Sequence, residues 1–571
     1  MTLVCVPIMV EEPANALLDA TLAQAKGADL VEYRVDLLFE ERDADSLDTR
    51  IARVLDLVEE SPLPCIVTCR PHWEGGEYHG DDTDRIDLYE ALATSEYPPA
   101  YIDVEFLTFT HSPETRERIG DVVSGESIDG SPTTRLILSS HDFKGRPSDL
   151  TRKIIAMIDE PACSVVKIAY RARSIRDNLE VFEILRDRQK PTIALCMGEF
   201  GLMSRVLAPK FGGLLTFASL RDEEMTAPGQ PTIDELLRLY RFRSIKPTTK
   251  VYGIIGWPVT QSMSPLVHNA GFAEIGWDGV YLPMPVERSY ESFKATFSSQ
   301  IDFEELNFSG ASITIPHKQN AARLYDIEKG SNYLPNDKLI LDKLFFIEND
   351  YFVDACRSCN TFTREIDCGG DMFSFFENTD RLGLLKPLGS EADVWTDQSI
   401  CVIGAGGASR AAVFTFAELG ASVHIYNRTE SSAEQLAIDA NDSWEIPHSS
   451  GRTRGTVATH RIDELNSTRH DIYINCTPVG MTGGPDPDGL SIPIPDMPPL
   501  PPETVFFDTV YNPIETPMLK AAKERGYRTI DGVQMFVKQA EAQFELWTGQ
   551  SAPEGLFDRL VRDRLTQNTS E

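Results

Sequence analysis

The segment SVVKIAY, residues 164–170, is a short apolar run that contains a single lysine. Similar runs recur along the first 220 residues: VCVPIM from Val4, DLVEYRVD from Asp29, CIVTCR from Cys65, YIDVEF from Tyr101, RLILSSH from Arg135, PTIALCM from Pro191 and LLTFAS from Leu214. Segments with helical patterning lie between them, for example 14–26, 47–60 and 174–188. Eight strands that alternate with helices predict a closed (β/α)8 barrel, and a doubly wound open sheet is the alternative.

Polar and ionisable side chains crowd five consecutive strands of this predicted barrel, the second to the sixth. They are Glu32, Arg34, Asp36, Arg70, Glu105, His141 and Lys167. Because active sites of barrels lie at the carboxyl ends of the strands, these residues indicate a catalytic site. Apolar neighbours disfavour the charged form of a lysine, and a neutral amine can attack a ketone to form an imine. His141 is the candidate general base. The alternatives are a salt bridge of Lys167 with Glu105 and a helix start at 140–142.

A second pattern begins after the barrel, with the strand, loop and helix sequence SICVIGAGGASRAAVFTFAELG at residues 399–420. Its loop consists of Gly404, Ala405, Gly406, Gly407 and Ala408. Glycines at these positions let backbone N–H groups approach a pyrophosphate, as in dinucleotide-binding domains. The next strand ends in Asn427, Arg428 and Thr429, where an NAD enzyme usually has an acidic residue. An arginine and a hydroxyl there favour the 2′-phosphate of NADP, and a solvated turn is the alternative.

Charge and hydropathy exclude several classes of partner. The 571-residue chain has a net charge of −34, which disfavours nucleic acid and anionic membranes. A binding site for acids must therefore be built from a few well-placed basic and hydroxyl groups. No stretch approaches the ~20 apolar residues of a membrane helix. The first ten residues are typical of a strand rather than a signal peptide, so we expect a cytoplasmic protein.

The ten cysteines are scattered, and several lie inside apolar runs, namely Cys65, Cys69, Cys196 and Cys401. This distribution predicts reduced, buried thiols rather than disulfides. The pair Cys356 and Cys359, together with Cys368, would permit a metal site. Because no fourth ligand follows at a recognisable spacing, we expect no metal.

The motifs of the first half resemble type I 3-dehydroquinate dehydratase. EYRVD (32–36), CRPHWEGG (69–76), SHDF (140–143), VKIA (166–169), MGEFGLMSR (197–205) and APGQ (227–230) follow one another in the order of that family. The resemblance implies that Lys167 forms an imine with the C3 ketone of 3-dehydroquinate. It also implies that His141 removes the C2 proton while Glu74 orients the imidazole, and that no metal takes part. The implied substrate-binding residues are Arg205, which would hold the carboxylate, and Glu32, Arg34, Arg70, Thr226 and Gln230. Thr226 stands where the family commonly has a serine.

The motifs of the second half closely resemble shikimate dehydrogenase. They are QSMSPLVHN (261–269), ITIPHK (313–318), CNTF (359–362), ENTD (377–380), YNP (511–513) and DG (531–532). The resemblance implies that Lys318 and Asp380 move the proton of the C3 hydroxyl while a hydride passes to or from NADP(H). Ser262 and Ser264 would bind the carboxylate, and the residues implied to contact hydroxyls or to shape the pocket are Thr314, Asn360, Tyr511, Gln539 and Gln543. Gly532 is added to the implied cofactor site.

Two departures from the family bear on these expectations. Ser432 occupies the position of a second basic residue that many relatives carry, which weakens the discrimination of NADP against NAD. The sequence CRSCNT stands where a Gly-Ala pair usually precedes Asn-Thr. A quinate dehydrogenase is one alternative function, but relatives that act on quinate tend to relax the serine pair kept here. A non-catalytic repressor is another, but the catalytic residues are retained.

These patterns predict an α/β chain of three domains: a TIM barrel over 1–240, a shikimate-binding domain over 248–384 that residues 531–563 complete, and a Rossmann NADP-binding domain over 385–530. Residues 241–250 and 384–398 are the expected linkers. Residues 331–349 and 440–460 are expected to be irregular insertions, and the tail after Asp563 to be frayed. We expect small-molecule substrates, with the chain a monomer or a homodimer.

Overall fold

The computed structural model describes residues 1–40, 46–123, 133–221, 229–329, 352–366, 372–389, 395–443 and 454–568. The chain divides into two compact units. The first unit contains Met1–Lys250 and Ser298–Asn307, and the second contains Val251–Phe297 and Phe308–Glu571.

The first unit is built on a sheet whose eight described strands correspond to the eight apolar runs. They are β1 (Leu3–Met9), β2 (Leu30–Arg34), β3 (Cys65–Thr68), β4 (Tyr101–Glu105), β5 (Arg135–Asp142), β6 (Cys163–Arg171), β7 (Thr192–Met197) and β8 (Leu215–Phe217). All pair in parallel, in the order β7-β6-β5-β4-β3-β2-β1-β8. The N–H of Leu214 donates to the carbonyl of Thr192 at 2.9 Å, which joins the starts of β8 and β7. The predicted barrel is confirmed and the open sheet is wrong.

Helices follow the strands of this nearly closed barrel. They are α1 (Pro13–Lys26), α2 (Asp36–Glu40), α3 (Leu47–Glu59), α4 (Asp82–Ala93), α5 (Phe106–His111), α6 (Pro113–Val123), α7 (Leu150–Asp159), α8 (Asp177–Arg186), α9 (Leu202–Val206) and α10 (Ala208–Phe211). Side chains alternate between the two faces of each strand. At the amino ends of the strands the inward residues are apolar, for example Ile137 and Val165, and they form a buried floor. Two positions further along the same strands stand Ser139 and Lys167, so the polar site lies directly above this floor.

The second unit begins with a mixed sheet of five described strands, in the order β10-β9-β11-β12-β13. They are β9 (Lys250–Gly256), β10 (Gly279–Pro285), β11 (Phe308–Ile313), β12 (Thr361–Ile366) and β13 (Met372–Glu377), and β12 is antiparallel to both of its neighbours. The helices of this part are α11 (Ser264–Glu274), α12 (Tyr290–Asp302), α13 (Lys318–Lys329) and α14 (Asp380–Leu388).

A parallel sheet of six described strands follows, in the order β16-β15-β14-β17-β18-β19. They are β14 (Ser399–Ile403), β15 (Ser422–Asn427), β16 (Val457–Arg461), β17 (Ile472–Asn475), β18 (Val505–Asp508) and β19 (Arg528–Ile530). The remaining helices are α15 (Gly407–Glu418), α16 (Glu430–Asp442), α17 (Pro517–Glu524), α18 (Gly532–Thr548) and α19 (Leu556–Asn568). The strand order reverses between β14 and β17, and ligands of such folds bind at the carboxyl ends of the strands beside that reversal. The predicted Rossmann fold is confirmed.

Several local predictions are wrong. The expected linker over 384–398 begins inside α14, which continues to Leu388. Residues 444–453 of the expected insertion over 440–460 lie outside the described residues, and the rest contains the end of α16 and most of β16, whose β-branched residues suit a parallel strand at the sheet edge. The tail after Asp563 is helical as far as Asn568. The expected insertion over 331–349 and Cys368 lie outside the described residues.

Two candidate active sites

Lys167 lies on β6 at the centre of the barrel, with only 4 % of the residue exposed. Its Nζ donates to Asp103 Oδ2 at 2.7 Å and to Glu32 Oε1 at 3.2 Å. The ring of Phe217 lies 4.7 Å from the same nitrogen. The flanking residues of the strand face the opposite side of the sheet. The expectation that apolar surroundings activate this lysine is therefore wrong, since its neighbours in sequence are apolar but its neighbours in space include two carboxylates.

Asp103 is a functional residue that the sequence reasoning missed. Arg70 donates to Asp103 Oδ1 at 2.9 Å and to Glu105 Oε1 at 2.7 Å, and Arg85 also pairs with Glu105. The alternative salt bridge of Lys167 with Glu105 is therefore wrong. Burial opposes ionisation of Asp103, but Arg70 and Lys167 outweigh it and hold the pKa of this carboxyl well below its usual range. The available signal was the spacing of the two acids, because residues two apart on β4 share a face.

His141 and Glu74 form the second element of the barrel site. His141 Nδ1 lies 2.9 Å from Glu74 Oε2, and Arg70 Nη1 lies 3.7 Å from the same oxygen. Burial, and then the positive charges of Arg70 and Lys167, lower the pKa of His141 well below 6.5. Burial also raises the pKa of Glu74 to about 8. The imidazole is therefore neutral at neutral pH. The predicted helix start at 140–142 is wrong, because these residues end β5.

Arg205 is suited to hold an anion. It lies on α9 with 2 % of the residue exposed, and its Nε has no hydrogen-bond partner within the described ranges. Burial lowers the pKa of Arg205 to about 10, so the guanidinium is still charged at neutral pH. Arg34, in contrast, already donates to both carboxylate oxygens of Asp36, at 3.0 and 2.7 Å. Gln230 is buried, and Thr226 lies outside the described residues.

In the second unit, Lys318 and Asp380 are brought together although they are 62 residues apart. Lys318 begins α13, Asp380 begins α14, and Lys318 Nζ donates to Asp380 Oδ2. The other oxygen of Asp380 accepts a hydrogen bond from Asn360 Nδ2 at 2.8 Å. Asn360 Nδ2 also lies 3.2 Å from Gln539 Oε1. Asn360 thus fixes one oxygen of the Asp380 carboxylate, and the other oxygen holds Lys318.

The remaining predicted substrate contacts differ in how firmly protein atoms hold them. Gln543 is buried, donates to Thr361 Oγ1 at 2.9 Å and accepts from Ser312 Oγ at 2.8 Å, so it shapes the pocket through its neighbours. The other predicted contacts are held less firmly. Ser262 Oγ accepts from the N–H of Ser264 at 3.2 Å, and Thr314 is half-buried after β11. Tyr511 packs on Phe536 with ring centroids 5.3 Å apart.

The glycine loop after β14 fits a dinucleotide. Gly404 has a φ of +112°, which favours glycine. A Cβ on Gly406 would meet no atom within 4 Å, whereas one on Gly407 would lie 3.1 Å from Lys318 Cδ. The loop therefore presents open backbone beside Lys318 at the start of α15. A Cβ on Gly532 would lie 2.2 Å from the carbonyl oxygen of Val510, so only glycine permits that close approach.

The turn after β15 leaves a basic side chain available. Asn427 Nδ2 donates to the carbonyl of Thr429 at 2.9 Å and shapes the turn. Arg428 is exposed and forms no ion pair with any residue that the structure describes, and Ser432 is also exposed. Arg461, which sequence reasoning did not single out, pairs in register with Asn427 on the adjacent strand.

Neither a metal site nor a membrane helix is found in the described part of the chain. No group of three or more His, Cys, Asp or Glu residues there is arranged to hold a metal ion. Cys356 and Cys359 are buried, and burial raises the pKa of Cys356 to about 12, which disfavours the thiolate that a metal requires. Of the helices described, none is long and apolar enough to span a bilayer.

Comparison with known proteins connects both sites to characterised families. Residues 4–247 match type I 3-dehydroquinase, residues 254–332 the shikimate dehydrogenase substrate binding domain, and residues 532–562 the shikimate 5′-dehydrogenase C-terminal domain. The chain is 34 % identical, over 98 % of its length, to the chloroplastic bifunctional 3-dehydroquinate dehydratase/shikimate dehydrogenase of Arabidopsis thaliana, of which it covers 84 %. It belongs to this bifunctional family.

Two further relatives match the whole chain or its second half. The shikimate biosynthesis protein AroDE of Chlamydia pneumoniae is 28 % identical over 91 % of this chain and 90 % of its own length. The shikimate dehydrogenase (NADP(+)) of Methanocella arvoryzae is 31 % identical over 55 % of this chain and 99 % of its own length. Both predicted family resemblances are confirmed.

Proposed function

We propose that the chain catalyses two reactions at two sites. The first unit dehydrates 3-dehydroquinate to 3-dehydroshikimate, and the second reduces 3-dehydroshikimate to shikimate with NADPH. The observation that carries the proposal is that one chain holds both a buried lysine beside a His–Glu pair and a Lys–Asp pair beside a dinucleotide loop.

The dehydratase site supplies each group that imine chemistry requires. The amine of Lys167 adds to the C3 carbonyl, and the iminium ion formed after loss of water withdraws electrons from the adjacent C2–H bond. His141 removes the C2 proton, since its lowered pKa keeps it in the neutral, basic form. The same imidazole returns a proton to the C1 hydroxyl as that group leaves. The buried guanidinium of Arg205 binds the substrate carboxylate.

The dehydrogenase site supplies proton transfer and positioning. NADPH, when bound, supplies the hydride. Lys318 donates a proton to the C3 oxygen as the ketone becomes an alcohol. Asp380 holds the lysine in place, and Asn360 fixes the carboxylate. Ser262 and Ser264 bind the substrate carboxylate.

NADP rather than NAD is the cofactor that these residues fit. Open backbone at Gly406 is suited to the pyrophosphate, and the exposed Arg428, which forms no ion pair with a described residue, is suited to a 2′-phosphate. We also propose three domains, which cover residues 1–240, residues 248–384 together with 531–563, and residues 385–530. A buried cluster in which α18 and α19 share contacts with β9 and α11 supports the assignment of the C-terminal helices.

The activities are separable by mutation. Borohydride reduction in the presence of 3-dehydroquinate is expected to modify Lys167 covalently, and omission of substrate is the control. Lys318→Ala is expected to abolish shikimate oxidation while dehydration is unchanged. Lys538→Ala, which removes a lysine paired with Glu541 on the surface of α18, is the matched control and should retain both activities. Active dehydratase with an unmodified Lys167 contradicts the imine mechanism.

A further inference from the structure

We propose that Asp103 is the counter-ion of the Lys167 nitrogen throughout imine formation and thereby holds that nitrogen, and the iminium ion formed from it, in the protonated form. The inference rests on the proposed imine role of Lys167. It concerns a residue that no motif singled out and that lies in the middle of an otherwise apolar part of YIDVEF.

Both oxygens of Asp103 are held in place. Oδ2 accepts from Lys167 Nζ at 2.7 Å, while Oδ1 accepts from Arg70 Nη2 at 2.9 Å and from Ser139 Oγ at 2.6 Å. The residue is fully buried. With three donors on two oxygens and no contact with water, the carboxylate has one orientation relative to the lysine.

Glu32 is a weaker partner of the same nitrogen. Its Oε1 lies 3.2 Å from Lys167 Nζ and also accepts from Thr68 Oγ1 at 2.8 Å. The Asp103 contact is shorter, and at low effective dielectric the interaction of two charges rises steeply as they approach. Asp103 therefore contributes more than Glu32 to stabilising positive charge on this nitrogen.

The charge on nitrogen is the same before and after the reaction. The ammonium ion and the ketone give an iminium ion and water: the nitrogen forms a bond to carbon, two of its three protons leave with the oxygen, and one N–H and the positive charge stay. The carboxylate thus faces a cationic N–H donor at both ends of the step. Arg70 and Lys167 hold the pKa of Asp103 well below its usual range, so it stays ionised throughout.

Two variants of the full chain distinguish the effect of the charge of Asp103 from the effect of its hydrogen-bond geometry. Asp103→Asn keeps the size of the side chain and removes its charge, whereas Ser139→Ala removes the hydrogen bonds of Ser139 Oγ with Asp103 and Arg70 and no charge. An opposite charge at contact distance shifts the ionisation of its partner by roughly 1–3 pH units. We therefore expect the pH midpoint for labelling Lys167 with acetic anhydride to fall by about one pH unit or more in Asp103→Asn. It should stay unchanged in Ser139→Ala.

The same variants test the imine directly. With saturating 3-dehydroquinate, the pH above which borohydride trapping of Lys167 declines, followed by mass spectrometry of its peptide, is expected to fall by about one pH unit in Asp103→Asn, because the iminium ion then loses its proton more readily. Unchanged trapping and an unchanged labelling midpoint in Asp103→Asn would overturn the proposal. An equal midpoint shift in Ser139→Ala would overturn it too, because geometry rather than charge would then be the cause.

Circular dichroism and amide hydrogen exchange of β5 and β6 peptides show whether the barrel of each variant is folded. If Asp103→Asn does not fold, Asp103→Glu provides the test, since it keeps the charge and moves it by one methylene. A wild-type labelling midpoint in Asp103→Glu supports the proposal, and a shift as large as about one pH unit contradicts it. Failure of the underlying mechanism is recognised separately, because wild-type enzyme would then dehydrate its substrate without forming any adduct.

Discussion

Replacing Glu74 by glutamine removes a buried carboxyl group that burial holds at a pKa of about 8, compared with 4.5 when exposed. Glutamine has nearly the same shape, and its Oε1 can accept the hydrogen bond from His141 Nδ1. The wild-type folded state binds the carboxyl proton more tightly than the unfolded state does. The stability that Glu74 contributes is therefore complete below about pH 4.5 and is lost as the pH rises to about 8.

The size of this effect follows from the two pKa values. A rise from 4.5 to about 8 corresponds to at most about 5 kcal/mol, at about 1.4 kcal/mol for each pH unit. Glu74→Gln does not titrate, so the free energy of unfolding of the variant, minus that of the wild type, should increase by up to this amount between pH 5 and pH 9. Above that range the difference should be constant.

Amide hydrogen exchange of β5 and β6 peptides in the full chain, corrected for the intrinsic pH dependence of exchange, measures the free energy of opening of the barrel. Glu77→Gln, which replaces an exposed carboxylate of the same loop, is the matched control. Parallel pH profiles for wild type and Glu74→Gln would refute the reasoning.

Three further substitutions have defined outcomes. Arg205→Ala should raise the dehydratase KM by about 10- to 100-fold, the value of a charge-assisted hydrogen bond of about 1.5–3 kcal/mol, in steady-state assays; an unchanged KM would exclude a carboxylate contact. Asp380→Asn should lower the kcat of shikimate oxidation by about 100-fold, a typical proton-transfer contribution, while dehydration is unchanged; equal loss of both activities would contradict separate sites. Arg428→Ala should weaken binding of 2′,5′-ADP about tenfold in calorimetry and leave that of 5′-AMP unchanged. An equal effect on both nucleotides would exclude a 2′-phosphate contact.

The barrel and the Rossmann sheet were predictable because their strands are short apolar runs at regular spacing. Sequence patterns placed Lys167 within the sixth strand, His141 at the end of the fifth and Lys318 just after an apolar run, and the structure has all three there. Pairing across the barrel was not predictable in the same way. The partner of Lys167 depends on the register between β4 and β6, which are not adjacent strands, so the choice between Asp103 and Glu105 could not be made from sequence spacing.

The strand at the edge of the Rossmann sheet, β16, was not predicted for a different reason. A polar segment of 440–460 contains only a short β-branched run, and an edge strand of that kind has no apolar alternation to reveal it. Its backbone pairs with β15 along five residues, which no side-chain pattern reports. Sequence reasoning is therefore weakest where hydrogen bonds of the backbone, rather than burial of side chains, create the element.

The apolar floor of the barrel has a consequence for how this enzyme can change. In β6 the residue that builds the floor, Val165, and the residue proposed to form the imine, Lys167, are separated by one outward-facing position. A substitution at the floor position is expected to alter stability, and one at the lysine position to alter catalysis. The loss of one residue from the strand, in contrast, turns every later side chain to the opposite face of the sheet, and the floor and the polar site are then disrupted together. Strand length is accordingly more constrained in this barrel than strand composition.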